Sequence, residues 1–266
     1  MSLKRWLTAL VALPFLFVVI RYGGEPAFAS LILIVSILGL WEYYAMVLTP
    51  GQRTFGWTGL VAGFLLLGGV SLYGIQALPA IIALLFMGIA ITLLLRFGKG
   101  DVISDALARI VCGVIYIPFF LAHLILIRNH DGGAVWIFFV LAVVFALDTS
   151  AYYVGTYAGR HKLYPVVSPK KTWEGAVGGL IGALLAACLF RTWFLGDVMW
   201  LHLIILTLCM AIFGGIGDLV ESMIKRSVHV KDSGVLLPGH GGILDRIDSL
   251  LFAAPIVYYY KELLIR

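Results

Sequence analysis

Charged side chains are scarce in this sequence. Of its 266 residues, 12% are Asp, Glu, Lys or Arg and 62% are hydrophobic. A soluble domain carries about 25% charged residues, because polar groups have to cover its surface. The composition therefore excludes a single large soluble core and indicates an integral membrane protein.

Cysteine is nearly absent, and repeats and linkers are missing. The three cysteines lie in apolar runs without CxxC spacing, which excludes a disulfide framework or a cysteine metal site. There is no tandem repeat, low-complexity tract or polar linker. We therefore predict one integral membrane domain over residues 1–266, with N-terminal spans in 1–130 and catalytic spans and polar loops in 131–266.

Long apolar runs occupy most of the chain. A membrane-spanning helix needs about 20 predominantly apolar residues. The runs predict an all-α, polytopic membrane protein with about nine transmembrane helices, at residues 6–20, 27–47, 56–74, 76–95, 108–127, 134–157, 174–193, 199–217 and 248–262.

The N-terminus permits a second interpretation. Lys4-Arg5, the apolar run 6–20 and Ala27-Phe28-Ala29 before Ser30 are typical of a signal peptide with its cleavage site. Another long apolar run follows at once, so the later spans have the same orientation in both interpretations.

Lysine and arginine are distributed unevenly between alternate connections. With the N-terminus inside the cell, fourteen of the 19 basic residues fall on the cytoplasmic side and five on the opposite side. Basic residues accumulate on the cytoplasmic side of membrane proteins. The polar segments 158–173 and 218–248, and any active site they form, are therefore predicted to face the cytoplasm.

The densest polar stretch is residues 222–248, between two apolar runs. Charge at the edge of a membrane span is costly unless it has a function, so this stretch is the first candidate for a functional site. Its glycine-rich turn, Gly239 to Gly242 around His240, can expose backbone N–H groups to an anion. Lys225, Arg226 and Lys231 favour phosphate contacts, and ordinary flanking charge is the alternative for them. His240 suits a proton shuttle or a phosphate donor, and a structural turn histidine is the alternative.

Carboxylates flank this stretch. Asp218 follows a glycine-rich helix end, and Glu221 and Ser222 share its helical face. Asp245 and Asp248 are three residues apart where the last apolar run begins. Such oxygen ligands suit Mg²⁺, which binds one or two carboxylates and otherwise water and substrate phosphate. Helix capping and a solvated helix end are the alternatives.

A second polar segment runs from Asp148 to Glu174. Asp148 ends a long apolar run, where a carboxylate normally has a function or a partner. Ser168 suits a helix N-cap and Pro169 the first helical position. Lys170 and Lys171 would then lie in the first helical turn, an arrangement that favours a bound anion, unless they are flanking charges.

The stretch 222–248 resembles the signature of the phosphatidate cytidylyltransferases (CDP-diacylglycerol synthases). It reads Ser222-x-Ile-Lys-Arg-x4-Lys-Asp-x-Gly-x2-Leu-Pro-x-His-Gly-Gly-Ile-x-Asp-Arg-Ile-Asp248, without departure from the pattern. The run 168–175, Asp148 and the Gly217-Asp218 pair resemble the same family. The resemblance covers roughly residues 140–262, while the first 130 match only as apolar spans.

The resemblance implies a reaction. The phosphate of phosphatidic acid attacks the α-phosphorus of CTP, giving CDP-diacylglycerol and pyrophosphate with Mg²⁺, beside which a second cation such as K⁺ is expected. No protein nucleophile is needed, because such transfer rests on positioning and charge neutralisation. The resemblance also implies a homodimer in a bacterial-type cytoplasmic (inner) membrane, and no nucleic-acid partner.

The resemblance assigns roles to residues of this chain. Asp218 and Asp245 are the leading metal ligands, with Asp248 and Asp148 as further candidates. The remaining catalytic candidates are Lys225, Arg226 and His240. The expected nucleotide-binding residues are Lys170, Lys171, Ser222, Lys231, Asp232, Gly241, Gly242 and Arg246.

Three other activities are weighed against this one. A CTP-dependent lipid or polyprenol kinase would transfer the γ-phosphoryl group and release CDP. A CDP-alcohol phosphotransferase is disfavoured because its DGxxAR…GxxxDxxxD pattern is absent. An ion-coupled transporter would use Asp148 and Asp218 as a relay, but no inverted repeat supports it.

Overall fold

Helices form almost all of the structure, a computed structural model that describes residues 3–95, 103–236 and 241–265. This confirms the predicted all-α fold. The α-helices are α1 (Leu3–Tyr22), α2 (Gly24–Val47), α3 (Gly56–Tyr73), α4 (Leu78–Leu94), α5 (Ile103–Val114), α6 (Phe120–Arg128), α7 (Gly133–Tyr157), α8 (Trp173–Phe194), α9 (Trp200–Ser227) and α10 (Leu244–Leu264). A π-helical turn, Ile115–Phe119, joins α5 to α6.

The nine predicted apolar runs all fall on helical segments. Within the described residues, seven helical segments are long and apolar enough to cross a membrane, which confirms a polytopic membrane protein. The first predicted run lies in α1, whose apolar part Ala12–Tyr22 is shorter than a span. The last lies in α10, which carries charged residues at both ends.

The described chain divides into two compact units. The first unit comprises Met1–Asn129 and Asp232–Arg246, and the second comprises His130–Lys231 and Ile247–Arg266. The prediction that residues 1–266 form a single membrane domain stays a prediction.

Helices α2, α3, α5 and α6 form the core of the first unit. The hydroxyl of Tyr44 on α2 donates a hydrogen bond of 2.9 Å to the carbonyl of Ile110 on α5. Arg109 pairs with Asp105 at 3.0 Å and also donates to the carbonyl of Val47. These contacts connect α2 and α5 and give the Tyr44 hydroxyl and the Val47 carbonyl hydrogen-bond partners inside the unit.

The second unit is built on the close packing of α7 and α8. A side chain at Gly179 of α8 would meet the carbonyl of Leu147 on α7 at 2.9 Å. Small residues at such a position let two membrane helices approach closely. The resulting contact fixes the part of α7 around Asp148 against α8.

A short β-hairpin precedes α8, and it corrects one prediction. Residues Lys162–Tyr164 form strand β1 and Ser168–Thr172 form strand β2, paired antiparallel. The expected N-cap at Ser168 is wrong, because helix α8 begins at Trp173 with Thr172 as its cap. The Thr172 side chain accepts a hydrogen bond from the Gly175 N–H at 3.1 Å. Lys170 and Lys171 therefore lie on a strand.

Helices α9 and α10 cross closely at Gly217. A side chain there would lie 2.6 Å from the Asp248 carbonyl and 3.1 Å from the Phe252 side chain. The predicted role of the glycines before Asp218, close approach of another backbone, is confirmed at this position. Residues 218 and 248 are thereby brought to the same crossing.

Candidate active site

Three carboxylates from two helices meet in the second unit. Asp218 and Glu221 project from α9 and Asp248 from α10, with one oxygen of each within 4.8 Å of the others. Glu221 is buried, and the two aspartates are half-buried. We call these three residues the carboxylate cluster.

The local sequence explains how the cluster forms. Residues three apart on a helix share a face, which places Asp218 and Glu221 side by side on α9. Gly217 lets the first turns of α10 approach that face, and Asp248 projects from there. Without compensation, three anionic groups this close would repel one another strongly.

Two lysines provide that compensation. The Nζ atom of Lys171, on strand β2, lies 2.6 Å from Oδ2 of Asp218. Lys225, one turn further along α9, forms an ion pair with Oε2 of Glu221. Lys225 and Glu221 are both buried, whereas about a quarter of the Lys171 side chain is exposed, at 24%.

The cluster has the chemistry of a divalent-cation site. Carboxylate oxygens are hard ligands, which Mg²⁺ and Ca²⁺ prefer. With one oxygen of each within 4.8 Å of the others, the three carboxylates are close enough together to hold one such ion. The cluster therefore fits a divalent metal.

Two further predicted residues, Asp148 and Ser222, are linked to neighbours of the cluster. Asp148, at an exposed position of α7, accepts a hydrogen bond of 3.2 Å from the hydroxyl of Ser249, the residue after Asp248. Ser222 is buried and follows Glu221 on α9. Their predicted roles in metal and nucleotide binding stay predictions.

Arg226 connects the hairpin to the loop after α9. Its guanidinium donates to the Val167 carbonyl at 3.3 Å and to the Val230 carbonyl at 3.1 Å. Lys170 on β2 and Lys231 after α9 are exposed. A guanidinium has five N–H donors, so these contacts leave Arg226 capable of binding a phosphate as well.

Asp245 has different surroundings in the first unit. Its Oδ2 atom accepts hydrogen bonds from the Ser233 N–H at 3.0 Å and the Gly242 N–H at 2.8 Å. The Ser233 hydroxyl also lies 3.0 Å from this oxygen, and its single proton is shared with the Glu42 carboxylate. Because two backbone donors already occupy Oδ2, the predicted metal contact of Asp245 would use Oδ1.

Glu42 is a second carboxylate at this loop, and sequence analysis missed it. It lies on α2, is 3% exposed, and its Oε2 atom accepts from the Leu244 N–H at 2.9 Å and the Ser233 hydroxyl at 3.2 Å. Side chains at Gly234 or Gly242 would collide with this carboxylate. We call Glu42 and Asp245 the carboxylate clamp, because both hold the loop through Ser233.

The other predicted residues of the first unit lie around the clamp. Gly241 has a φ of +83°, a conformation that glycine adopts readily. Asp232 and Arg246 are exposed. His240 lies outside the described residues.

Comparison with known proteins identifies the family. A model of the cytidylyltransferase family matches residues 3–264. The chain belongs to this family. The family transfers nucleotidyl groups, so the chain is an enzyme, and the resemblance predicted from its motifs is confirmed.

Several curated relatives match this chain over most of their own length. The phosphatidate cytidylyltransferase of Bacillus subtilis is 38% identical over 260 residues, which cover 96% of the chain and 95% of the relative. Those of Staphylococcus haemolyticus and Haemophilus influenzae are each 35% identical. The match to the first covers 95% of the chain and 96% of the relative, and the match to the second covers 85% of the chain and 86% of the relative. The kinase and transporter alternatives receive no support from these matches.

Proposed function

We propose that the chain is a phosphatidate cytidylyltransferase, which transfers the cytidylyl group of CTP to phosphatidate. The products are CDP-diacylglycerol and pyrophosphate. The observation that carries the proposal is a carboxylate cluster flanked by Lys171 and Lys225 in a member of the cytidylyltransferase family. The names of its near full-length relatives supply the lipid substrate.

The reaction requires two anions to approach each other. An oxygen of the phosphatidate phosphate forms a bond to the α-phosphorus of CTP, the bond from that phosphorus to the bridging oxygen breaks, and pyrophosphate leaves. Positioning and charge neutralisation carry such a transfer. Lys171 and Lys225 supply positive charge beside the carboxylates, and we assign them to the phosphates of CTP.

We propose Mg²⁺ as the divalent cation. Asp218, Glu221 and Asp248 would hold it, and when bound it would offset charge on the phosphate oxygens. Asp245 through Oδ1, a second cation such as K⁺, and a phosphate contact from His240 remain part of the proposal.

We also propose where the enzyme works. The bias of basic residues supports a site on the cytoplasmic side of a cytoplasmic membrane, where CTP arrives from water and phosphatidate from the bilayer. A homodimer is expected from the family resemblance, and chemical cross-linking in native membranes would detect it.

One assay tests the proposed function. The purified full-length chain in detergent micelles receives phosphatidate, Mg²⁺ and CTP labelled at either the α- or the γ-phosphorus. We expect α-label in the chloroform phase and γ-label in pyrophosphate, with neither product when the metal is chelated. Transfer of γ-label to lipid would instead identify a kinase, and no lipid product under any condition would refute the proposal.

A further inference from the structure

We propose that Lys171 and the divalent cation compete for Asp218, and that the displaced lysine then binds a phosphate of CTP. Lys171 would thereby make cation binding and nucleotide binding favour each other. This inference rests on the proposed function and concerns the order of events at its site. It begins from the contact between Lys171 Nζ and Asp218 Oδ2 at 2.6 Å.

The two lysines of the cluster are held differently. Lys225 and Glu221 belong to the same helix, one turn apart, and both are buried. Lys171 reaches Asp218 from strand β2 of a short hairpin, whose strands have three and five residues. Its side chain is partly exposed. Lys171 is therefore the lysine that can move without disturbing a helix.

Charge balance favours the exchange. When ionised, the three carboxylates carry three negative charges, and Lys171 and Lys225 carry two positive ones. Replacing Lys171 by a divalent cation brings this group from one net negative charge to neutrality. Keeping both lysines on the carboxylates would make it net positive and would crowd the cation against an ammonium.

Lys171 also has unused hydrogen-bonding capacity. An ammonium has three N–H donors. Its Nζ atom is buried, and beyond the ion pair with Asp218 the described part of the chain offers it no hydrogen-bond acceptor. A phosphate has the acceptor oxygens to fill this capacity, so a displaced Lys171 has a ready partner when CTP binds.

The first experiment measures binding to the Lys171→Met variant. Mn²⁺ replaces Mg²⁺, and the paramagnetic resonance signal of free Mn²⁺ reports its affinity for the purified full-length chain without lipid. Without CTP, we expect the variant to bind Mn²⁺ on the order of 10-fold more tightly than the unaltered chain. With Mn²⁺ saturating, we expect it to bind CTP on the order of 10-fold more weakly.

The matched control is Lys261→Met, in the last turn of α10. It removes one positive charge from the same unit and should leave both affinities unchanged. A Lys171→Met chain that binds Mn²⁺ no better than the unaltered chain would overturn the inference. An unaltered chain that fails to make lipid-linked nucleotide would overturn the proposed function instead.

A second experiment needs no variant. Brief reductive methylation of the unaltered chain, followed by mass spectrometry, reports how reactive each lysine is. We expect Mg²⁺ alone to increase modification of Lys171 several-fold, because the ammonium leaves Asp218, and CTP with Mg²⁺ to suppress it again. Lys261 should react equally in all conditions. Modification of Lys171 that does not respond to Mg²⁺ would contradict the exchange, whatever the variant does.

Discussion

The carboxylate cluster and the carboxylate clamp both hold poorly exposed carboxylates, and each stabilises them with a different kind of partner. In the cluster, Asp218 and Glu221 are paired with the ammonium groups of Lys171 and Lys225. In the clamp, Glu42 and Asp245 accept hydrogen bonds from backbone N–H groups and the Ser233 hydroxyl. An ammonium on a long side chain can be exchanged for another cation, whereas a backbone N–H cannot leave. The cluster therefore suits binding and turnover, and the clamp suits a fixed loop geometry.

The largest effect is expected at the cluster. Asp218→Asn removes a proposed metal ligand and the partner of Lys171 while keeping the side-chain shape. We expect lipid-linked nucleotide formation to fall by about 10² to 10³ fold, as when one charge-stabilising group is lost from an active site. Initial rates with α-labelled CTP measure this.

The control for this substitution is Asp197→Asn, in the exposed connection between α8 and α9. It should retain the full rate. A fully active Asp218→Asn enzyme would show that the cluster does not take part in the reaction. The proposed difference between a catalytic cluster and a structural clamp would then be wrong.

At the clamp, we expect a loss of stability instead. Glu42→Ala leaves the buried Leu244 N–H without its acceptor, which costs about 1–3 kcal/mol in the free energy of unfolding. The unfolding midpoint in mixed detergent micelles measures this loss, with exposed Glu25→Ala on the same helix as control. Glu42 is not one of the proposed metal ligands, so Mn²⁺ affinity of folded Glu42→Ala protein should stay within about twofold of the unaltered chain. A selective loss of Mn²⁺ affinity with unchanged stability would instead identify Glu42 as a metal ligand.

The helix crossing beside the cluster allows a finer test. Gly217→Ala forces a methyl group against the Asp248 carbonyl and should separate α9 from α10, at a cost of about 1–3 kcal/mol. Because Asp218 and Asp248 move apart, Mn²⁺ affinity should fall together with stability. Gly215→Ala is the matched control, since a side chain there meets no atom of the described residues within 4 Å. Equal behaviour of the two variants would argue against a close crossing.

The smallest effect is expected at the hairpin that carries Lys171. Glu174 accepts from the backbone N–H groups of Arg160 and His161, and from the His161 ring at 2.6 Å. Glu174→Gln should speed hydrogen exchange at these two amides by about threefold, because a neutral amide is the weaker acceptor. Mass spectrometry of deuterated peptides measures this, and slower exchange in the variant would contradict the assigned contact.

Local spacing predicted part of the cluster: Asp218 and Asp248 were expected ligands, whereas Asp245, the other leading candidate, is not one of its three residues. The apolar runs predicted the helices, and the three-residue spacing of Asp218 and Glu221 predicted their shared face. The pairing of Ser168–Thr172 with a strand was not predicted, because strand partners are set by contacts that a helix-start motif does not reveal. Pro169 fits either assignment, since it is tolerated at a helix start and on an edge strand.

The clamp could not be predicted in this way. Glu42 is 191 residues from Ser233 in the chain, and it lies in an apolar run without a motif. Its only signal is a carboxylate placed inside a membrane span, which normally has a partner or a function. That signal identifies the residue but not the loop it holds.

The length of α9 has a consequence for how a lipid reaches this enzyme. At 1.5 Å per residue, Asp218 lies about 27 Å along the helix from Trp200, and Glu221 about 32 Å. The hydrocarbon layer is about 30 Å thick, and tryptophans favour its boundary. Under the proposed function, we therefore expect the two carboxylates at the depth of the lipid phosphates, where a phospholipid would react while its tails remain in the bilayer.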